Sequence, residues 1–240
     1  EMIKKFSVTT FVATPDEERV KAIDPALRTA ILTNGVDADE FEFYDGEREN
    51  AVLFSGHLGI YHNRLMAEEI VKGIYPAIRE HSPQTKLWIA GKDPNSELRR
   101  LVASTEGAEL FADVRDMRPF YQKARVFLHP QTVGAGIQNK LLEAMAMGCP
   151  IITTPIGASG IEGVINGMHV MVSENADEFV STGLRLLSDE KERAWLAKNS
   201  RALVERRYRW DHIFSSFDDI IEGIVPDFFK VGTLKREAIQ

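Results

Sequence analysis

Cysteine is almost missing from this 240-residue chain: Cys149 stands alone, so no intrachain disulfide framework can form. That fits a reducing compartment, and a cytoplasmic protein is expected. Surplus positive charge is missing as well. A formal net charge of −7 sets up a field that repels polyanions, which argues against nucleic acid or anionic lipid as a long-range partner. Long apolar runs are absent too, since no stretch approaches the roughly 20 residues of a membrane span. The amino terminus carries neither a basic segment leading into an apolar core nor a cleavage signature, so no signal peptide is expected. It lacks a Met at position 1, and residues 6–12 read as a strand that begins at once, as though an earlier part of the chain preceded it.

Several chemistries lose their motifs in the same way. There is no Walker A segment, no G-x-S-x-G elbow, and no H-x-x-x-H, C-x-x-C or D-x-D spacing that would hold a metal. A dinucleotide-dependent oxidoreductase would fit an α/β pattern, but G-x-G-x-x-G does not follow the first strand. No metal and no bound cofactor are therefore expected.

What is present is a composition of 44% hydrophobic and 27% charged residues, ordinary for a globular domain with a sizeable core. Short β-rich runs alternate with longer helical patterns, the signature of βαβ units and a parallel sheet covered by helices on both faces. Strands are expected at 51–55, 87–90, 108–111, 126–129, 150–153 and 170–172. Helices are expected at 63–81, kinked by Pro76, at 119–123, at 139–147 with Gly148 as its terminator, and at 177–187, 190–207 and 210–224. Ser96 is the expected cap of a further helix carrying Leu98 and Leu101, and Asp116 that of the helix at 119–123. Residues 6–23 read as a strand and helix followed by a short strand at 30–32, a piece that belongs to a different sheet.

Two glycine-bearing junctions follow buried strands. In an open α/β sheet, the carboxyl ends of strands are where ligands sit. At 130–138 (PQTVGAGIQ), Gly134 and Gly136 let backbone N–H groups approach an anion, and the helix that begins at Asn139 adds its positive end. The amides of Ile137 and Gln138 belong to the same cradle. Lys140 brings a full charge to it, and Glu143, three residues on, shares its face and offers a carboxylate to sugar hydroxyls. The competing reading makes Gly134 and Gly136 a plain turn, with Lys140 and Glu143 a solvated pair worth a few tenths of a kcal/mol.

At the other junction, Gly56 either makes a tight turn or lines the same crevice, and His57 can donate to a phosphate. Asn63 either contacts that phosphate or caps the following helix, the latter being the usual role of an Asn there. His129, ending a strand, reads as a hydrogen-bonded structural residue.

Taken together, several segments resemble the carboxyl-terminal domain of family 4 glycosyltransferases, retaining enzymes of GT-B architecture that use nucleotide sugars. They are 31–37 (ILTNGVD), 53–56 (LFSG), 87–91 (LWIAG), 142–148 (LEAMAMG) with Pro150-Ile151-Ile152, and 208–211 (YRWD). The run 136–140 (GIQNK) is similar to a subgroup of bacterial sugar transferases associated with exopolysaccharide synthesis.

The resemblance implies two Rossmann-like domains facing across a cleft. Residues 1–30 would be a remnant of the acceptor-side domain, 31–208 the nucleotide-sugar-binding domain, and 209–240 a crossover helix and tail. It implies a nucleoside diphosphate sugar of the UDP or GDP type as donor and a glycan or lipid-linked acceptor. The amino-terminal domain missing here is the further partner, and a peripheral contact at the inner face of the membrane is an option. It assigns donor contacts to Gly56, His57, Asn63, Gly134, Gly136, Ile137, Gln138, Lys140 and Glu143, base contacts to Val114 and Arg115, and the central chemistry to Lys140 and Glu143. Two departures stand out. The first glutamate of the family's E-x7-E motif falls on Ala135, and the basic pair that usually holds the diphosphate falls on His57 and Asn63. A binding module without full catalytic power is thus the alternative to an enzyme.

Overall fold

The computed structural model describes residues 6–134 and 136–224; Ala135, and with it the site of the absent glutamate, lies outside the described residues, as does the tail from 225. Strands β3 (Glu49–His57), β4 (Lys86–Lys92), β5 (Ala108–Ala112), β6 (Ala124–His129), β7 (Ile151–Thr153) and β8 (Met171–Val172) form one sheet in the order β5-β4-β3-β6-β7-β8. Every pairing in it is parallel. The chain winds outward from β3 to β5, returns to β6 beside β3, and winds the other way. That reversal opens a crevice at the carboxyl ends of β3 and β6.

The sheet is buried on both faces, which is why its strands read as continuous apolar runs rather than alternating ones. Along β3, Leu53 points into one core with Phe127, Leu142, Met145 and Leu203, while Val52 and Phe54 point into the other with Ile70, Ile78 and Phe179. Helices α6 (Asn139–Ala146) and α9 (Glu190–Arg207) cover mainly the first face. The second lies under α2 (Tyr61–Glu69), α3 (Tyr75–His81), α4 (Ser96–Ala103) and α8 (Ala176–Ser188). The remaining helices are α5 (Arg118–Lys123) and α7 (Pro155–Ser159) in this domain, α1 (Thr14–Ile23) before it and α10 (Trp210–Ile224) after it. Among the described residues no helix is long and apolar enough to cross a membrane.

Local expectations need correction at several points. The long helix starts at Tyr61, so Asn63 lies inside its first turn and does not cap it. Ahead of Pro76 the helix widens into a π segment, Ile70–Ile74, in which the Tyr75 N–H reaches the Ile70 carbonyl. Proline offers no N–H to the carbonyl four residues back, and the extra residue per turn absorbs that gap instead of a simple kink. Asn95, not Ser96, caps α4, its side chain accepting from the Leu98 amide at 2.8 Å. At α5 the N-cap position falls on Met117, and Asp116, one residue earlier, accepts from the Arg118 amide at 3.0 Å while pairing with its guanidinium at 2.9 Å. Gly148 does end α6 in the left-handed region, at φ 65°.

The separate amino-terminal piece is a two-stranded parallel sheet, β1 (Thr9–Phe11) with β2 (Thr29–Ile31), joined by α1. It is tied to the domain through residues 31–37. The Val36 amide donates to the Tyr208 carbonyl at 2.7 Å, Arg209 forks onto Asp39 at 2.7 and 3.0 Å, and Gly35 lies so close to the Trp210 ring that a Cβ there would stand 2.7 Å from it.

Gly56 is neither a free turn nor a loop residue, because β3 runs through it to His57, paired with Gly91 of β4. Gly91 has φ 154°, and a Cβ on it would strike the Gly56 carbonyl. The two strand ends meet backbone to backbone at the crevice. Gly91→Ala is expected to lower the unfolding free energy by about 2 kcal/mol or more, read as a shift in urea midpoint with unchanged slope.

Candidate functional site

Helix α6 enters the crevice from the loop that leaves β6. Its N-cap, Gln138, makes no side-chain cap, as at α1, α2 and α5, whereas α4, α7, α8 and α9 are each closed by Asn95, Thr154, Asn175 or Asp189. The Leu141 amide turns back to the Gln138 carbonyl at 2.9 Å, and no side chain caps the amides ahead of it, which face solvent or a ligand. At the far end the situation is reversed. Arg201 donates to the Ala146 carbonyl at 3.0 Å, and Arg48 donates to those of Met147 and Gly148 at 3.2 and 2.9 Å. Two guanidinium groups therefore face the negative end of the helix dipole, and its positive end faces the crevice.

The loop itself is built for close approach. Gly134 and Gly136 sit at φ 122° and 73°, a region open to glycine, and Ile137 anchors the turn at 8% exposure. A Cβ on Gly160 would collide with the Gly136 carbonyl, so the loop lies directly on α7. Asn34 reaches the start of α6 from the segment that follows β2, donating to the Asn139 side chain at 2.8 Å.

Lys140 and Glu143 share a face of α6, yet no ion pair joins them among the described residues, and they are not a solvated pair. Each has its own partner. Lys140 Nζ donates to Asn63 Oδ1 at 2.7 Å, stands 5.4 Å from the Phe54 ring centroid, and is pushed down to about 8 by burial, with the Glu143 charge opposing. Asn63 in turn donates to the His57 carbonyl at 3.1 Å. The structure gives Asn63 a role that neither sequence reading named: it ties the end of β3 to the lysine of α6.

Glu143 Oε2 accepts from the Tyr121 hydroxyl at 3.1 Å, and that hydroxyl lies 3.1 Å from Ser55 Oγ. With Tyr121 donating to the carboxylate, Ser55 donates to Tyr121. Burial raises the Glu143 carboxyl above its usual range, against the opposing pull of this hydrogen bond and of Lys140. Burial likewise holds the Tyr121 hydroxyl well above its ordinary value, with the Glu143 charge adding to it.

His129 is fully buried at the end of β6. The Thr153 hydroxyl donates to the His129 carbonyl at 3.1 Å and so accepts from Nδ1–H at 3.0 Å. This fixes the tautomer and leaves Nε2 a buried acceptor with no partner among the described residues. Burial, and then the charge of Lys140, keeps the ring well below its usual titration range, so it is neutral.

The other sequence candidates are scattered around this centre. The His57 side chain is exposed at the rim. Val114 is half-buried against the core and Arg115 exposed, both beyond the end of edge strand β5, with β4 between them and β3. Among the described residues no three His, Cys, Asp or Glu side chains gather as a metal-binding set.

Comparison with known proteins settles the family. Residues 49–189, more than half of the chain, match the model described as Glycosyl transferases group 1. The chain belongs to the glycosyl transferase group 1 family. Among the relatives of this group 1 chain is an uncharacterized 44.6 kDa protein in the cps region of Klebsiella pneumoniae, 24% identical over 172 residues that cover 69% of this chain and 44% of that one. A similar solved structure is a TarM mutant from S. aureus in complex with fondaparinux, α-GlcNAc-glycerol and UDP. It has a TM-score of 0.78 at 12% identity, over 91% of this chain and 44% of that one. Anabaena HepE in complex with UDP and glucose gives 0.71 at 14% identity, over 90% and 63%. These likenesses show the GT-B fold. The chain spans less than half the length of the Klebsiella protein and of the TarM chain.

Tyr121→Phe is expected to cost about 1–3 kcal/mol in stability at neutral pH, where the half-buried Glu143 must be ionised without its donor. Because Glu143 has a raised carboxyl, the penalty shrinks as pH falls through its titration range. Urea unfolding of both chains at pH 7 and pH 4 checks this.

Proposed function

We propose that this chain is the donor-binding half of a glycosyltransferase that moves a sugar from a nucleoside diphosphate sugar to a glycan or lipid-linked acceptor, with retention at the anomeric carbon and without a metal. The observation that carries the reading is the placement of Lys140 and Glu143 on one face of an uncapped helix at the reversal point of the sheet. Each is held by a side chain from another element, Asn63 or Tyr121.

In such a transfer the bond between the anomeric carbon and the diphosphate oxygen breaks, and the electron pair stays with the departing diphosphate. Negative charge grows where the α6 amides, the amides of Gly136, Ile137 and Gln138, and the Lys140 ammonium converge. Preorganised donors of this kind lower a barrier because they need no reorientation during the reaction. Glu143, with Oε2 engaged by Tyr121, keeps lone pairs for the ribose hydroxyls. His57 adds a rim donor beside Gly56, and Val114 and Arg115 flank the base. UDP is favoured over GDP because the TarM and HepE structures were solved with UDP.

In the same reading residues 1–30 belong to the acceptor-side domain, 31–208 form the donor domain and the segment from 209 crosses back; of these, 1–5 and 225–240 lie outside the described residues. The protein works in the cytoplasm, where its acceptor is presented at the inner face of the membrane. A second reading, a nucleotide-sugar-binding module, is favoured by the loss of a carboxylate at Ala135. Donor hydrolysis and transfer by the longer native chain at saturating donor separate the two, since a pure module does neither.

Calorimetry on the site variants tests the assignment. Lys140→Ala should weaken UDP binding by about 10- to 100-fold, and Glu143→Ala should erase the preference for a ribose over a 2′-deoxyribose nucleotide. Wild-type behaviour in both variants would show the site to be wrong. The pH dependence carries its own sign. A seated diphosphate favours the ammonium form of a lysine whose free value is about 8, so binding takes up a proton above that pH. Affinity is expected to be highest below pH 8 and to fall by up to about tenfold per pH unit above it.

A further inference from the structure

The opposite end of the sheet, where β6 and β7 begin, holds a second concentration of charge. Between residues 43–48 and α9 lies a cavity of about 370 Å³ whose lining includes Arg48, Arg125 and Arg193, with Lys198 exposed beside them. The guanidinium of Arg48 donates to the carbonyls of Tyr44, Tyr121, Ala124, Met147 and Gly148. Arg193 Nη1 donates to Leu186 and Leu187 at 2.6 and 3.1 Å, and Arg125 Nη1 to the same Leu187 oxygen at 3.4 Å. One carbonyl thus serves two guanidinium groups, which fixes Arg125 and Arg193 as immediate neighbours.

Among the described residues no carboxylate stands within ion-pair distance of Arg48, Arg125 or Arg193, whereas Arg79, Arg185, Arg201, Arg207 and Arg209 each have one. The carboxylates that do line the cavity, Asp45, Glu47 and Glu190, are exposed. Arg125 Nε is buried without a hydrogen-bond partner. Burial, and next the charge of Arg125, pulls Arg193 below its ordinary value, with the carboxylates of Glu190 and Asp189 opposing.

Helix ends supply part of the compensation. The carbonyls engaged belong to the last turns of α5, α6 and α8, and each helix end carries roughly half a negative charge. The exposed Asp45, Glu47 and Glu190 add negative charge at the rim but make no ion pair with Arg48, Arg125 or Arg193 among the described residues, so the partly desolvated Arg125 and Arg193 have no direct counter-charge, a costly arrangement that an anion relieves. We propose that this cavity binds a small anion of the phosphate class, free or carried by a small molecule, on the forked donors of Arg125 and Arg193, with Lys198 at the entrance. Its occupant is not the diphosphate of the α6 cradle, because the two sites lie at opposite ends of the same strands.

The test uses inorganic phosphate in calorimetry against the Lys140→Ala chain, whose cradle has lost its cation. Phosphate should still bind, and adding Arg125→Gln should weaken that binding about tenfold or more. Lys198→Glu, added to the Lys140→Ala chain, provides a second variant at an exposed position, where folding is not at risk, and should weaken the same binding event. Phosphate binding that needs Lys140, or that persists unchanged after Arg125→Gln and Lys198→Glu, would overturn the proposal. A glucose 1-phosphate arm distinguishes a free from a carried phosphate: tighter binding than inorganic phosphate points to a phosphorylated small molecule, equal or weaker binding to the free ion.

Discussion

Helix α6 is held from behind, and the crevice depends on that. Arg201 and Arg48, from α9 and from the entrance to β3, satisfy its last carbonyls, so that end of the helix needs no further donor. Its leading amides have no side-chain cap. A helix closed at the carboxyl end and open at the amino end is an oriented partial charge, and the turn at Gly134 and Gly136 aims it at the carboxyl ends of β3 and β6. The sheet reversal supplies the gap. The helix supplies the potential within it.

Two charged side chains then have to be kept in a low-dielectric place without neutralising one another. Burial works against both, lowering Lys140 and raising Glu143. Neutral hydrogen-bond partners hold them instead: Asn63 for the ammonium, and Tyr121 backed by Ser55 for the carboxylate. An ion pair would have been the simpler arrangement, but it would have cancelled the positive charge that an anion is to meet. This division ties the end of β3 to one helix face twice, from Ser55 through Tyr121 to Glu143 and from His57 through Asn63 to Lys140, while His129 and Thr153 join the neighbouring ends of β6 and β7.

Much of the architecture was legible in the residues because a parallel sheet buried on both faces leaves unbroken apolar runs, as at Val52, Leu53 and Phe54, and glycine marks their ends. The GT-B expectation rested on such runs and on spaced segments, and the family match agrees with it. What escaped was decided by contacts distant in sequence. Nothing local announces that Tyr121 reaches a carboxylate 22 residues away, or that Asn63 meets a lysine 77 residues on. Asn63 before a run of helix formers resembles a cap, and only the backbone path through Ile60 and Tyr61 puts it inside the turn. Arg48 and Arg201 sit among other charged residues in segments that read as loop and surface helix, so their burial against carbonyls left no pattern to find.

The account's central claim is that the uncapped start of α6, with Lys140 and Glu143, seats a nucleoside diphosphate. A crystal structure of the chain grown with saturating UDP tests it most directly. The account predicts the diphosphate on the amides that open α6, within hydrogen-bond distance of Lys140 Nζ, and a ribose hydroxyl on Glu143. UDP seated elsewhere, whether among Arg125 and Arg193 or away from α6 altogether, would contradict it.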